Sequence, residues 1–80
     1  MNDFEEHVLR LIEKHDKKWS WYQLDRRLTS DGLQTENLMQ ALKTLKVRGY
    51  VIAVAGANPA QPTYEITPAG MTALAASDAT

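Results

Sequence analysis

Residues 45–54 read "LKVRGYVIAV". The first half continues a helical pattern of apolar residues. The second half is a run of aromatic and β-branched residues, and Gly49 stands between the two. A glycine just past the last helical residue is the preferred left-handed C-terminal cap. A stretch such as Tyr50–Val54 has the composition of a strand. The segment therefore predicts a helix that stops at Gly49 and turns at once into a strand over residues 50–54. What lies on either side of that junction decides the architecture.

Upstream, the pattern is helical back to about Thr35. Leu38, Ala41, Leu42 and Leu45 form one buried stripe of a helix running from Thr35 to Arg48, with Thr35 or Gln34 as its cap. Before it, "TSDG" contains an Asp-Gly turn signal. A second helix lies in "WSWYQLDRRL", where Ser20 and Gln23 have the spacing of a capping box and Trp21, Leu24 and Leu28 share a face. Trp19 is expected in an extended position, adding a third strand to the small sheet formed by the two strands further on. The first helix covers residues 3–15, with Phe4, Val8, Leu11, Ile12 and His15 on one face and Asp3 as cap.

Downstream, "AGANPAQP" is a loop and "TYEI" a second short strand, which together complete a hairpin over residues 50–54 and 63–67. Thr67 and Pro68 then supply an N-cap and a first-turn proline for a short last helix, after which "SDAT" frays. Leu24, Leu28, Leu38, Leu42, Leu45, Ile52 and Ile66 are the expected core. The fold class is mainly α with a small β component. The order of elements is that of a winged helix-turn-helix, with three helices, a β-hairpin wing and a short C-terminal helix. Eighty residues suit a single domain over 1–80, with a disordered tail from about residue 77.

Charge is distributed unevenly. The formal net charge is only −1. Residues 1–16 hold two cations against five acids, residues 17–50 hold seven cations against three acids, and residues 51–80 hold two acids alone. The cationic excess sits wholly in the middle segment, the part that contains the two paired helices, which directs attention to anionic partners.

The stretches "LMQALKTLKVRGYVIAV" and "TYEITPAGMTAL" resemble winged helix-turn-helix regulators of the MarR and PadR type. Those families end the third helix in Leu-x-x-x-Gly followed by an apolar strand, and carry a Tyr-x-Leu/Ile-Thr-x-x-Gly signature, matched here by Tyr64, Ile66, Thr67 and Gly70. The resemblance covers roughly residues 17–75. It implies a double-stranded DNA partner and a small transcriptional regulator of a prokaryote, phage or plasmid. Two features depart from the families. Residues 55–63 carry no charge where DNA-binding wings usually hold Arg or Lys, and no long dimerisation helix is present. The alternative is a winged helix used for protein–protein contact within a larger complex.

In a helix-turn-helix the second paired helix enters the major groove with its N-terminal end first. That places Gln34, Thr35, Asn37, Gln40 and Lys43 as candidates for base edges or phosphates. Ser20, Tyr22, Arg26 and Arg27, on the helix that crosses the backbone, are candidates for phosphate contact. Arg26 and Arg27 are adjacent on a helix and point differently, and one of them has Asp25, Asp31 or the acidic first helix as a potential partner. Lys17 and Lys18 add non-specific attraction or simply solvate a helix end. The plainer reading of Thr35 is a cap, and of Gln40 and Lys43 a solvated face. Glu36 would repel phosphate at the same helix end, unless it contacts cytosine or simply caps the helix. Of "WSWY", Trp19 belongs in the core, Trp21 packs partly under the third helix and Tyr22 is the exposed one.

No catalytic constellation is recognisable. His7 and His15 lie two helical turns apart, about 12 Å, too far to share a metal. Cysteine is absent, and neither a phosphate-binding glycine loop nor a nucleophile signature appears. The expectation is a non-enzyme with no cofactor and no metal. Lack of cysteine fits a cytoplasmic location, and nothing resembles a signal peptide or a membrane span. At most a weak homodimer is expected, through Leu9 on the first helix or Met71 and Leu74 on the last.

Overall fold

The computed structural model describes residues 2–16, 18–55 and 62–78. Its elements run α1 (Asp3–Lys14), α2 (Trp21–Ser30), α3 (Leu38–Val47), β1 (Val51–Val54), β2 (Thr63–Ile66) and α4 (Pro68–Asp78). Among the described residues the chain is thus mainly helical, with one small antiparallel sheet of two strands. No helix among the described residues is long and apolar enough to cross a membrane.

The junction in residues 45–54 forms as its sequence predicts. Gly49 has a φ of 79°, and two bonds close the end of α3. The Tyr50 amide donates to the Leu45 carbonyl at 2.9 Å, and the Gly49 amide to the Lys46 carbonyl at 3.0 Å. This is the paired arrangement in which a left-handed residue satisfies the orphan carbonyls of a helix end. The end of α2 repeats it, with Gly32 at φ 81°. There the Leu33 amide reaches the Leu28 carbonyl at 2.9 Å and the Gly32 amide the Thr29 carbonyl at 3.0 Å. Both helices of the pair therefore stop abruptly.

Thr67 locks the junction from the other side. Its hydroxyl donates to the Gly49 carbonyl at 2.5 Å and accepts from the Gly70 amide at 3.1 Å. Its own amide donates to the Tyr50 carbonyl at 2.9 Å. One residue caps α4 and ties it to the start of β1.

In the sheet, Val51 faces Ile66 and Ala53 faces Tyr64, while Ile52 faces Glu65. Side chains alternate across a strand, so Val51, Tyr64 and Ile66 point into the core and Ile52 points out. Ile52 is 48% exposed, which corrects its expected burial: the helix junction sets Val51, not Ile52, as the inward residue. The other six expected core residues are buried. Trp19 does not make a full third strand. The segment contributes a single bridge, Ser20 to Thr63, because α2 begins at Trp21 and leaves no residues to extend the pairing. The outer edge of β2 is nonetheless satisfied. The Tyr64 amide donates to the Trp19 carbonyl at 3.1 Å, and the Ile66 amide donates to Asp16 Oδ1 at 3.0 Å. An otherwise open edge is thereby covered.

Several boundaries move. The cap of α1 is Asn2, not Asp3: its Oδ1 accepts the Glu5 amide at 2.7 Å, and the Glu5 carboxylate accepts the Asn2 amide at 3.2 Å. α3 starts at Leu38, three residues later than expected, and Asn37 precedes it with no side-chain bond. Thr, Glu and Asn compete for local backbone bonds and favour turns over helix interiors. α4 continues to Asp78, so residues 77–78 belong to a helix and not to a tail. Met1, Lys17, residues 56–61, where a loop is expected, and residues 79–80 lie outside the described residues. Leu9 and Leu74 are buried in the core, so neither offers the dimer surface expected of it; Met71 stays exposed.

Candidate nucleic-acid interface

The start of α2 is built from "WSWY". The Ser20 amide and hydroxyl both donate to Gln23 Oε1, at 2.9 and 2.5 Å. Ser20 is only 4% exposed, so its hydroxyl serves the helix cap and is turned away from any phosphate. Trp19 is half-buried and stacks on His15, ring centroids 3.6 Å apart with planes 5° from parallel. Restricted hydration pushes the His15 imidazole below its ordinary pKa, and the positive charges of Lys14, Arg27 and Lys18 push in the same direction. Trp21 is half-buried against the core. Tyr22 is exposed, as its position predicts, and meets Trp21 edge to face at 5.9 Å.

The two arginines of α2 have different fates. Arg27 Nε lies 3.4 Å from Asp31 Oδ2, and His7 Nε2 approaches the same oxygen at 3.5 Å. Asp31 therefore offsets the charge of Arg27 and links the end of α2 to α1. The Arg26 guanidinium lies 5.8 Å from the centre of the Tyr22 ring, a cation–π contact that leaves its donors unused. No described carboxylate pairs with it. Both arginines, with Trp19 and Gln23, line one open cleft of about 350 Å³. Adjacent residues on a helix diverge at the backbone, but long side chains reconverge around the intervening space.

Gln34, Thr35 and Asn37 precede α3 and do not form its first turn. Gln34 and Asn37 are exposed and Thr35 is half-buried. The Thr35 carbonyl accepts the Leu38 amide at 3.0 Å, and the Asn37 carbonyl accepts the Ala41 amide at 2.9 Å. This turn brings the three side chains to the open end of the helix. Gln40 and Lys43 follow on its exposed side. The set Gln34, Asn37, Gln40 and Lys43 thus sits at or near the N-terminal half of α3.

Three residues on the same helix were not singled out by sequence reasoning. Met39 is 59% exposed and Val47 80% exposed, with Lys46 exposed between them. They border a second cleft of about 250 Å³, lined also by Leu42, Lys43 and Tyr64. Met39, Lys43 and Val47 recur every four residues and so form a line along the helix. Burial raises the Tyr64 phenol above its ordinary pKa, and it stays neutral at the foot of this cleft. Among the described residues, no acidic side chain pairs with Lys43, Lys46 or Arg48. Glu36 is exposed in the turn just before α3, but no acid lies within Leu38–Val47 itself; Glu6 pairs with Arg10 on α1 at 2.6 Å, and Asp31 is engaged as described. α3 therefore presents a cationic face with apolar side chains set into it. No cluster of His, Cys, Asp or Glu able to hold a metal occurs among the described residues.

Compared with protein-family models, with curated proteins and with solved structures, the chain finds no match. Geometry and chemistry alone bear on its function.

Proposed function

We propose that the chain is a winged helix-turn-helix domain of MarR/PadR-like type that binds double-stranded DNA and acts as a small transcriptional regulator. The single observation that carries the reading is the outward face of α3: Gln40, Lys43 and Lys46 are exposed, and no described carboxylate neutralises the two lysines. Three helices followed by a hairpin and a fourth helix support the fold assignment. The tight ends of α2 and α3 support the pairing of the two helices as one reading unit.

On this reading α3 lies in the major groove. Gln40 takes an adenine edge and Lys43 a guanine edge or a phosphate. Gln34, Thr35 and Asn37 approach the duplex from the turn before the helix. Arg26, whose guanidinium has no acidic partner among the described residues, holds a backbone phosphate; Arg27 does so less well because Asp31 competes for it. Phosphate contacts position the domain and base contacts choose the sequence.

Alanine substitution separates these roles. Arg26→Ala should weaken binding to all duplexes alike and reduce the salt dependence by about one unit. Gln40→Ala or Lys43→Ala should cost about 1–3 kcal/mol on a preferred duplex and relax the choice at one position. Binding of labelled duplexes followed by fluorescence anisotropy reads both effects. If all these variants bind like the parent chain, the assignment of α3 and α2 fails.

The second reading, a winged helix for protein–protein contact, is favoured by the exposed apolar side chains Val47 and Ile52. It inverts the pattern: loss of Lys43 would leave function intact, and changes at Tyr22 or Ile52 would abolish partner capture.

A further inference from the structure

We infer that Met39 reads the 5-methyl group of a thymine, so that the duplexes selected by this chain carry a T·A pair beside the base pair contacted by Gln40. The inference rests on the DNA-binding reading and names the base class that the same face chooses.

α3 begins at Leu38, which is buried in the core. Met39 and Gln40 are therefore the first outward side chains at the end that enters the groove. Met39 is 59% exposed and has no place in the core cluster. Single exposed apolar residues are ordinary, but this one is set in a cationic face. Lys43 is one turn further on, and Met39, Leu42, Lys43, Lys46, Val47 and Tyr64 share the 250 Å³ cleft. Unpaired lysines call for an anionic partner, and apolar atoms between them call for an apolar group on that partner. In the major groove the thymine methyl is the apolar group that base pairs present. Gln40, about 100° further round the helix, has the donor and acceptor needed for a neighbouring adenine. Methionine is unbranched, with three rotatable bonds, and follows a methyl group without fixing the helix in one register.

The test starts from duplexes enriched by the wild-type chain from a randomised pool. Each thymine in an enriched duplex is replaced in turn by uracil, which removes only the methyl group. Affinities are measured by anisotropy for wild type and Met39→Ala, with thermal unfolding to confirm that the variant is folded. The expected result is one position at which uracil weakens wild-type binding by about three- to fivefold, the scale of one buried methyl. Met39→Ala should bind the parent duplex more weakly and be indifferent to uracil at that position. An enriched duplex with no methyl-sensitive thymine, or a Met39→Ala variant that keeps full sensitivity, overturns the inference and leaves DNA binding standing. Failure to enrich or bind any duplex at low salt overturns the DNA reading as well, and with it this inference.

Discussion

Gly70→Ala tests whether the junction between α3, β1 and α4 is as tight as it is described. Gly70 is buried on α4. A Cβ built on it would run into the Tyr50 carbonyl oxygen, come within 2.8 Å of Ile66 Cγ1 and lie 3.2 Å from the Tyr50 carbonyl carbon. Two effects compete. Alanine is the better helix former by about 1 kcal/mol. Against that, the intruding methyl meets backbone, which does not swing aside as a flexible side chain would. Overpacking of this kind costs about 1–3 kcal/mol, and sometimes more. The carbonyl it strikes also accepts the Thr67 amide, and Thr67 holds Gly49 and Gly70. Displacing Tyr50 therefore loosens several hydrogen bonds, each contributing about 0.5–1.5 kcal/mol. The steric term wins, and a net loss of about 2 kcal/mol is expected. In a domain of this size that lowers Tm by roughly 8–16 °C. Urea unfolding followed by tryptophan fluorescence measures the change in free energy, and circular dichroism measures Tm. A Gly70→Ala chain as stable as wild type, or more stable, would refute the reasoning, because helix propensity would then have prevailed over a contact that is not there.

Gly49→Ala probes the same junction through backbone conformation: nothing lies within 4 Å of the added Cβ, so the cost should be about 1 kcal/mol from the left-handed geometry alone, with Gly49→Asn milder in the same urea titration. Asp16→Ala leaves the Ile66 amide without its acceptor and should cost about 1.5–3 kcal/mol; hydrogen exchange at that amide should accelerate well beyond the global change in stability. The lowered pKa of His15 means that the unfolded chain binds its proton first as pH falls. Stability from this group is therefore complete above about pH 6.5 and declines as pH drops below that value toward the folded pKa. Urea midpoints between about pH 5 and 7.5 should show a slope that His15→Gln removes, and an unchanged slope would count against it.

The junction was legible because Gly49 and the change of hydrophobic period are local signals, each with one physical reading. The stripes Leu38–Ala41–Leu42–Leu45 and Leu24–Leu28 were legible for the same reason. Leu9 was misjudged because α1 packs against α2, α3, β2 and α4, and a helix so enclosed buries a wider arc than one periodic stripe. Ile52 was misjudged because β-strand alternation leaves the phase open by one residue, and only the pairing of Val51 with Ile66 fixes it. The bond of Asp16 to a residue fifty positions away has no local signature. At the candidate interface, Gln40 and Lys43 were read from polarity off the stripe. Met39 was overlooked because an exposed methionine has no sequence signal until its neighbours are known. The roles of Arg26 and Arg27 were also undecidable until Asp31 was found beside only one of them.

The most direct test of the central claim is the affinity of the chain for a fluorescently labelled duplex, measured by anisotropy across a salt series. Four cations lack a described acidic partner on the proposed face: Arg26, Lys43, Lys46 and Arg48. If two to four of them reach phosphates, log K should fall against log salt with a slope of about −2 to −4, since each contact contributes about −0.9. Arg26→Ala and Lys46→Ala together should flatten that slope by about one to two units. No measurable binding to any duplex at low salt, or a slope that the double substitution leaves unchanged, would contradict the account.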